Sequence, residues 1–431
     1  MLKEMKEFGE LSVALSGGAG TLPSGCGPLL PAEGGQPKPL RQQVFERVRS
    51  AGQTSRIDVA KDLGISPGSV TQLTSELISA GLIVEAASLH EAHTRGRPPV
   101  ALRIAPGAGY VVGMKLGDFT HSAVLVDFAG TVICEYDHPS SAQHHETEVL
   151  AGEANVVLRV LLEKAGLDVG QVSAVGVGIS GVVDHEAGVI PWSPLLRPRN
   201  VALRDKLSDL MGLPVLIDND ANVLTLAELW FGAGRARRSF AVVTIEYGVG
   251  MGLVTDNRLY RGSGGLGLEL GHTKVQLDGA LCRCGKRGCL EAYLADYALV
   301  REARVALGMH SESFGPLDIM LETLYEQAKA GNQNARTIFH RAGRYLAVAL
   351  SNVVHLFDPG LIILSGERMR YDYLYAEEVM AEMDSLTLDK GRPAPDIEIN
   401  VWGGFVWAQG GAALALSSVT DELFSAVRAE A

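Results

Sequence analysis

The chain has 431 residues, enough for two or three domains, and a globular composition with 47% hydrophobic residues and 50 glycines. Its net charge of -12 excludes a protein that coats nucleic acid over its whole surface, and no apolar stretch is long enough for a transmembrane helix. Residues 1–18 mix acidic with apolar residues and end in glycines, which argues against a secretory signal and predicts a cytoplasmic protein.

Residues 1–39 are rich in Gly, Pro and Ser and are predicted to form a flexible extension before the first domain. Three short helices are predicted next. The first carries apolar residues at helical spacing from Leu40 onwards, the second begins at Thr54 or Ser55, and the third begins after Ser66, with Pro67 at its first position. A serine before a helix accepts hydrogen bonds from the free amides of the first turn, which supports both of these boundaries.

Residues 40–106 predict a winged helix-turn-helix, because a tight turn joins the second and third helices and two candidate strands follow, Leu82–Ala87 and Val100–Ile104. Basic residues slightly outnumber acidic ones in this segment, although the chain as a whole is acidic. The candidate contacts to operator DNA are Ser69, Thr71, Gln72 and Ser75 on the outward face of the third helix, and Arg95 and Arg97 at the tip of the wing. A glutamine can pair with adenine through two hydrogen bonds, and arginines reach phosphates or the minor groove. The alternative is a small helical dimerisation module with a solvated polar face.

After Pro106, short apolar runs alternate with longer amphipathic stretches, which predicts an α/β architecture for residues 107–431. The apolar runs are Val111–Met114, Ala123–Val126, Val172–Val177, Ala241–Ile245 and Leu361–Leu364. The amphipathic stretches include Glu148–Leu162, Leu290–Leu307 and Asn334–Leu356.

A dense group of metal-binding residue types lies at residues 272–289. His272, Cys282, Cys284 and Cys289 supply one imidazole and three thiols, a set that suits tetrahedral Zn²⁺ with no open position and so predicts a structural metal. Nearby glycines permit the tight turns that bring such closely spaced ligands around one ion. The alternative is three buried cysteines without a metal.

The same stretch carries a family resemblance. Glu269-x-Gly271-His272, nine further residues, and then Cys-x-Cys-Gly-x-x-Gly-Cys-x-Glu, which ends at Glu291, resemble the signature of the ROK family of repressors, open reading frames and kinases. The resemblance covers residues 40 to about 420. It implies a winged helix-turn-helix followed by a two-lobed, actin-like, sugar kinase-like fold in residues 107–431, with the ligand in the cleft between the lobes.

The resemblance also implies a sugar site. In the family, the residue matching His272 binds zinc through one ring nitrogen and a sugar hydroxyl through the other, and the residues matching Glu269 and Glu291 accept sugar hydroxyl protons. A second motif, Asp218-Asn219-Asp220-Ala221-Asn222, matches the kinase sequence in which Asp220 corresponds to the catalytic base and Asn219 to a sugar ligand. Gly181 resembles a glycine that lets the backbone approach the sugar. Without the resemblance, this aspartate-rich segment would be as typical of a turn or a helix cap as of a sugar site. The sequence departs from the family kinases at Leu195, which follows Pro194 where they often have Asn.

The predicted function is regulation rather than catalysis. Kinases of this superfamily begin with a strand ending Asp-x-Gly-Gly-Thr, whereas this chain has Lys115-Leu116-Gly117-Asp118-Phe119. Lys115 replaces the metal-organising aspartate, Asp118 adds a negative charge near the phosphates, and Phe119 replaces the hydroxyl. Phosphoryl transfer depends almost wholly on positioning and electrostatics, so we expect these changes to abolish it. The sequence therefore predicts a sugar-responsive repressor that acts as a homodimer or homotetramer. The alternative is a ROK-family sugar kinase with an accessory DNA-binding module.

Overall fold

The computed structural model describes residues 22–31, 38–87, 100–142, 144–308, 317–366, 369, 377–388, 391 and 394–425. These residues fall in two compact units. One lies within Ala19–Arg238, Val254–Leu266 and Gly404–Ala431, and the other includes Ser239–Leu253 and Gly267–Gly403. In the described part of the chain, no helix combines the length and apolarity needed to cross a bilayer.

The first unit begins with a small helical domain whose elements, in chain order, are α1 (Leu40–Ala51), β1 (Thr54–Ser55), α2 (Arg56–Leu63), α3 (Pro67–Ser79), β2 (Ile83–Ala86) and β3 (Ala101–Ile104). The three strands form one sheet in the order β1-β3-β2. The side chain of Ser55 accepts a hydrogen bond from the Asp58 amide, and that of Ser66 from the Ser69 amide. The predicted start of α3 is therefore confirmed, and of the two predicted caps of α2, Ser55 is the correct one. This domain has the predicted winged helix-turn-helix arrangement, with β1 as an additional short strand.

Residues 22–31 belong to the segment predicted as a flexible extension, but they pack against the first unit. Cys26 is buried, its amide donates to the carbonyl of Arg49 in α1, and the Gly27 amide donates to the carbonyl of Trp230. The sequence of residues 22–31 has no helical or strand periodicity, so it could not be distinguished from a linker before the structure was known. The extension therefore contains a docked segment.

The body of the first unit is an α/β layer built on a five-stranded sheet in the order β10-β7-β4-β5-β6. Its elements are β4 (Tyr110–Leu116), β5 (Thr120–Asp127), β6 (Val132–Pro139), α4 (Thr147–Ala165), β7 (Val172–Ile179), β8 (Val182–Asp184), β9 (Val189–Trp192), α5 (Leu203–Met211), β10 (Val215–Asn219), α6 (Asp220–Trp230) and α12 (Val406–Ser425). Strands β7 and β10 run parallel to β4, whereas β4, β5 and β6 form an antiparallel meander. Its hydrophobic core joins the sheet to α4 and α5. Glycine at position 113 allows α12 to approach the sheet closely, since a Cβ atom there would come within 1.8 Å of the Ala408 carbonyl oxygen.

The second unit contains β11 (Phe240–Ile245), most of β12 (Val249–Thr255), β14 (Leu361–Ser365) and β15 (Asp396–Asn400). These strands belong to a sheet of order β13-β12-β11-β14-β15, in which β13 (Arg258–Leu259) lies within the bounds of the first unit. Its helices are α7 (Glu291–Leu294), α8 (Asp296–Ala306), α9 (Leu317–Lys329), α10 (Gln333–Phe357) and α11 (Glu377–Leu386). The amphipathic stretch predicted over Leu290–Leu307 is two helices, which separate at the extended residue Ala295. All five predicted apolar runs lie in strands of the two sheets.

Candidate functional site

The candidate DNA-contacting residues lie on one exposed side of α3. Val70, Thr74 and Leu77 are buried against the rest of the small domain, which leaves Thr71, Gln72 and Ser75 exposed and Ser69 half-buried. The Gln72 amide nitrogen donates to the Glu76 carboxylate at 3.2 Å, within the same helix, so it can exchange this bond for one to a base. Arg95 and Arg97, predicted at the tip of the wing, lie outside the described residues.

Three of the predicted sugar ligands come together in the first unit, where β7 and β10 end. Asn219 is the N-cap of α6, because its Oδ1 accepts from the Ala221 amide, while its Nδ2 donates to the Gly181 carbonyl at 2.7 Å. The neighbouring Asp220 accepts a hydrogen bond from Ser180 Oγ at 2.5 Å. The alternative of a helix cap is therefore correct for Asn219, and it does not prevent its amide from lying beside Asp220.

Gly181 has a backbone reason to be glycine. Its φ of +122° is unfavourable for other residues, and a Cβ atom there would lie 2.3 Å from the Trp192 carbonyl oxygen. The carbonyl of Gly181 holds Asn219, so this conformation positions the amide side chain of the predicted sugar ligand.

Asp218 anchors the Asp218–Asn222 motif through hydrogen bonds of its buried carboxylate. It is 1% exposed, accepts from Arg261 Nε at 2.6 Å through Oδ2, and accepts from the Asn222 side chain at 2.7 Å through Oδ1. His185 lies close to the same carboxylate, with Nδ1 3.7 Å from Oδ2. Sequence analysis missed Arg261 and His185, because neither lies near the motif in the chain and neither belongs to a local pattern.

The metal motif forms a compact cluster in the second unit. One donor atom from each of His272, Cys282, Cys284 and Cys289 lies within 4.8 Å of the others, so the cluster could hold a metal ion. The sulfurs of Cys284 and Cys289 are 3.7 Å apart, and Cys282 Sγ is 3.8 Å from His272 Nδ1. Lys274 Nζ donates to Cys289 Sγ at 2.7 Å.

The electrostatics of this cluster show that its thiols are unequal. Burial, assisted by the nearby Glu291 carboxylate, raises the pKa of the Cys282 thiol to about 12. Burial also acts to raise the pKa of Cys284, but hydrogen bonds from the Lys286 amide and from the neighbouring thiols leave this pKa below its usual value. A buried thiol such as Cys282 is deprotonated readily only when a cation binds it.

Two further predicted sugar ligands adjoin the cluster. Glu291 is 7% exposed and begins α7, and its Oε1 lies 3.4 Å from Cys282 Sγ and 3.3 Å from the Tyr297 hydroxyl. Glu269 is half-buried and directly precedes the short 3-10 turn Leu270–His272. The His272 amide donates to the Glu269 carbonyl at 2.9 Å, which fixes the two residues relative to each other.

The residues predicted to correspond to the kinase phosphate loop lie at the end of β4 and in the β4–β5 turn. Lys115 is on β4, and its ammonium group lies 3.6 Å from the centroid of the Trp407 ring in α12. This cation–π contact gives the lysine a partner inside the fold. The Gly117 amide donates to His121 Nδ1 at 3.2 Å, and Phe119 is 60% exposed.

The small domain packs on the body of the first unit through several side chains of α1, and Arg49 is the most buried charged one among them. Arg49 is 3% exposed, and its guanidinium carbon lies 4.6 Å from the centroid of the Trp230 ring, at the end of α6. It also donates to Thr420 Oγ1 in α12 at 2.8 Å. Elsewhere on α1, the Gln42 side chain donates to Asp421 at 2.6 Å, and Phe45 packs on Phe424 with ring centroids 5.5 Å apart.

A second buried arginine completes this junction. The side-chain nitrogens of Arg235, in the turn after α6, donate to the carbonyl oxygens of Pro23, Gly27 and Ser50 at 2.6 to 3.0 Å. The arginine thus joins residues 22–31, the end of α1 and the end of α6 in one hydrogen-bond network. Sequence analysis did not single out this network, since its members are separated by as many as 212 residues.

Comparison with known proteins gives the family. The model of the ROK family matches residues 111–418. The chain belongs to the ROK family. The resemblance inferred from the two motifs is confirmed, and so is the predicted fold class, a winged helix-turn-helix followed by an α/β body of the actin-like ROK fold.

ROK proteins similar to this chain include regulators and kinases. A xylose repressor of Caldicellulosiruptor bescii is 29% identical over 331 residues, which cover 75% of this chain and 82% of the repressor. A glucokinase of Thermotoga maritima is 32% identical over 263 residues, which cover 59% of this chain and 81% of the kinase. Among solved structures, a ROK family transcriptional regulator described as a homolog of the E. coli MLC protein superposes with a TM-score of 0.72 at 26% identity, covering 89% of this chain and 97% of the regulator.

Proposed function

We propose that this ROK protein is a sugar-responsive transcriptional repressor. It binds operator DNA through residues 40–106 as a homodimer or homotetramer, and it releases the DNA when a neutral sugar binds. Support comes from the solved structures: the regulator covers 89% of this chain, whereas a ROK family glucokinase from Streptomyces griseus covers 71%. The additional coverage is consistent with a DNA-binding domain that the kinase has no need of.

The single observation that carries the proposal is the placement of α6. This helix begins at the predicted sugar ligands Asn219 and Asp220 and ends at Trp230, whose ring packs on Arg49 of the DNA-binding domain. A ligand that shifts the start of a rigid helix also moves its far end. Helix α6 therefore connects the predicted sugar-binding residues Asn219 and Asp220 directly to α1, within one compact unit.

The proposed effector is a neutral sugar bound by side chains of Asn219, Asp220, Glu269, His272 and Glu291. Because Gly181 has no side chain, the sugar could lie close to the backbone there. Carboxylates accept hydrogen bonds from hydroxyls strongly, which offsets the cost of removing both from water. The same carboxylates would repel a sugar phosphate.

We further propose that the chain does not phosphorylate the sugar. The Lys115 ammonium group replaces the aspartate that would organise Mg²⁺, and its contact with Trp407 holds it in the fold. The decisive experiment measures operator binding with and without a panel of neutral monosaccharides, alongside ATP consumption with the same panel. Sugar-dependent loss of DNA binding without ATP turnover supports the repressor, whereas turnover at ordinary kinase rates would show that it is a kinase with an accessory DNA-binding module.

A structural Zn²⁺ is proposed at His272, Cys282, Cys284 and Cys289. The donor set fits, because two sulfurs bound to one tetrahedral zinc are about 3.8 Å apart when each Zn–S bond is about 2.3 Å, and those of Cys284 and Cys289 are 3.7 Å apart. When bound, the ion would neutralise the buried thiolates and hold the loop between the 3-10 turn and α7. His272 would then be oriented by the metal for a hydrogen bond to the sugar.

Replacing Gln72 with alanine is expected to relax base preference in the operator. Gln72 is exposed on α3, so the change leaves the fold intact and removes one base contact, with a loss of about 1–3 kcal/mol of discrimination at one position. Competition binding with operator variants measures the effect. Gln43→Ala, which alters a half-buried glutamine of α1, is the control and should leave the preference unchanged. Equal preference profiles for the Gln72→Ala and unmodified proteins would remove Gln72 from the interface.

Replacing Glu269 with alanine is expected to weaken sugar binding by about 10–150-fold, because a hydrogen bond to a charged acceptor contributes about 1.5–3 kcal/mol. Operator affinity without sugar should not change. Calorimetry with the effector sugar and a DNA-binding assay measure the two quantities. Glu326→Ala, at a solvent-exposed position of α9, is the matched control. Undiminished sugar binding in the Glu269→Ala protein would contradict the proposed ligand set.

A further inference from the structure

A buried group of two histidines and one glutamate lies in the first unit, apart from the predicted DNA-contacting, sugar-binding and zinc-binding residues. His121 is at the start of β5, His145 lies just before α4, and Glu153 is in the second turn of α4. Both imidazoles are almost fully buried, at 0% and 1% exposure, and the glutamate side chain is 13% exposed. Buried imidazoles and carboxylates are costly unless each polar atom has a partner, so the hydrogen bonds of this cluster can be assigned one by one.

His145 has one ring nitrogen without a partner. Ser140 Oγ donates its single proton to the Ala142 carbonyl at 2.8 Å, so it must accept from Nε2 of His145 at 2.9 Å. Nδ1 of a neutral His145 therefore carries a lone pair. This buried atom has no hydrogen-bond partner among the described residues, and it lies 3.8 Å from Glu153 Oε2, which is also an acceptor.

The other two members are hydrogen-bonded to each other. Nδ1 of His121 accepts from the Gly117 amide, so Nε2 carries the proton and donates to Glu153 Oε2 at 2.8 Å. Burial lowers the pKa of His121, which keeps this imidazole neutral. The second carboxylate oxygen, Oε1, accepts from the Ser141 amide at 3.3 Å. The cluster thus presents two inward-facing acceptor atoms, His145 Nδ1 and Glu153 Oε2, and one proton, on His121 Nε2.

We propose that this cluster is a second metal site, which binds a divalent transition ion such as Zn²⁺ through His121 Nε2, His145 Nδ1 and Glu153 Oε2. Imidazole nitrogen and carboxylate oxygen are the ligands that such ions prefer outside thiolate sites. Donor atoms of the three residues lie within 4.8 Å of one another. Ligands about 2.0–2.2 Å from one tetrahedral ion are about 3.4 Å apart, and the observed separations of 2.8 and 3.8 Å lie on either side of that value.

Two of the three ligands already have the supporting contacts of a metal site. A histidine that binds metal through one nitrogen usually donates the other N–H to a fixed acceptor, and a ligating carboxylate is usually hydrogen-bonded as well. Ser140 supplies the first contact for His145, and the Ser141 amide supplies the second for Glu153. The segment that carries His145 is therefore arranged so that a lone pair faces the cluster.

Metal binding requires one rearrangement, at His121. The ion takes the Nε2 lone pair, so the ring proton moves from Nε2 to Nδ1 and no proton is released overall. Nδ1 then no longer accepts the hydrogen bond from the Gly117 amide. The β4–β5 turn, which follows Lys115, must shift to give that amide a new partner, so metal occupancy and the conformation of this turn are coupled.

The site also adjoins the segment after β9. The His145 amide donates to the Leu195 carbonyl at 2.7 Å, and the Arg197 amide donates to the His145 carbonyl at 2.9 Å. The same segment begins at Ser193, whose Cα would lie 2.7 Å from a Cβ atom at Gly181. An ion bound by His145 would therefore stabilise the backbone of residues 193–197, which lies next to Gly181 of the predicted sugar site.

The test is metal stoichiometry of the full chain, loaded with Zn²⁺ and then freed of loosely bound ions by gel filtration. We expect two zinc ions per chain, and one in the His145→Ala and Glu153→Gln proteins. Glu153→Gln keeps the size of the side chain and its acceptor for the Ser141 amide, so it remains informative if His145→Ala fails to fold. His144→Ala is the matched control and should keep two ions, because His144 is exposed and its Nδ1 is bonded to the Pro194 carbonyl.

Substitution with Co²⁺ distinguishes this site from the cysteine cluster. Thiolate-bound cobalt gives a sulfur charge-transfer band, which the His145→Ala protein should retain while it loses one equivalent of cobalt. Two ions in both the His145→Ala and Glu153→Gln proteins would overturn the proposal. So would one ion in the unmodified chain together with the sulfur band; the cluster would then hold only a proton, shared by His145 and Glu153.

Discussion

The Cys284→Ser protein is expected to lose the metal of the cysteine cluster and to unfold at a lower temperature. Loss of a structural metal is among the few single changes that cost about 4 kcal/mol or more, which corresponds to a Tm lower by roughly 10 °C for a unit of this size. Metal analysis and a thermal melt in the presence of Zn²⁺ measure the two effects. A chelator should lower the Tm of the unmodified protein by a similar amount and that of the variant very little.

Cys284 is the informative ligand because it is exposed, whereas Cys282 and Cys289 are buried. Serine is close in size to cysteine, and at an exposed position it leaves no cavity. A hydroxyl is not deprotonated as a thiol is, so serine is a poor zinc ligand. A large loss of stability at this position therefore reports on the metal and not on packing.

Cys134→Ser is the matched control. Cys134 is partly exposed on β6 and lies outside the cluster, so its replacement should change stability by less than about 0.5 kcal/mol. If the Cys284→Ser and Cys134→Ser proteins melt together in the presence of zinc, the cluster does not stabilise the fold through a metal.

Local chemistry explains which parts of the fold could be predicted from the sequence. Ser55 and Ser66 each cap a helix by a hydrogen bond to an amide three residues later, a contact that needs no other part of the chain. The apolar runs of residues 107–431 are strands because each is buried on both faces of its sheet. The cysteine cluster is local too, since three of its four ligands lie within eight residues.

The remaining features depend on contacts between distant residues. Asp218 is next to Asn219 in the sequence, but its partner Arg261 is 43 residues away. The pairing of His121 with Glu153 spans 32 residues and joins a strand to a helix. Neither the periodicity nor the composition of a segment contains such information, so the positioning residues and the buried histidine cluster emerge only from the folded chain.

The junction between the DNA-binding domain and α6 is the structural basis of the last prediction. The Arg49→Met protein is expected to bind sugar and operator DNA separately but to lose the coupling between them. Ligand-induced changes in affinity are typically about 5–150-fold, and we expect the change in operator affinity on adding sugar to fall to less than about twofold. The physical reason is that methionine fills the same space but cannot stack a charge on Trp230 or donate to Thr420.

The Arg49→Met substitution leaves no hydrogen-bond partner of Arg49 among the described residues without a hydrogen bond. A loss of coupling can therefore be attributed to the missing contact and not to local unfolding. Thr420 Oγ1 also donates to the Leu416 carbonyl at 2.6 Å, so its proton stays bonded when Arg49 is removed. The backbone carbonyl of Arg49 still accepts from the Cys26 amide. The DNA-binding domain should therefore stay folded and attached, while its orientation no longer follows the end of α6.

Arg47→Met provides the comparison within the same helix. Arg47 pairs with Asp62 of α2, with Nε 2.8 Å from Oδ2, so its contact lies wholly inside the DNA-binding domain. Loss of this partly exposed ion pair costs about 0–1 kcal/mol and should leave the response to sugar intact, whatever it does to operator affinity itself. Operator affinity with and without saturating sugar, measured for both proteins, separates the two roles. An Arg49→Met protein that still released DNA on sugar binding would show that the signal reaches the winged helix by a route other than α6.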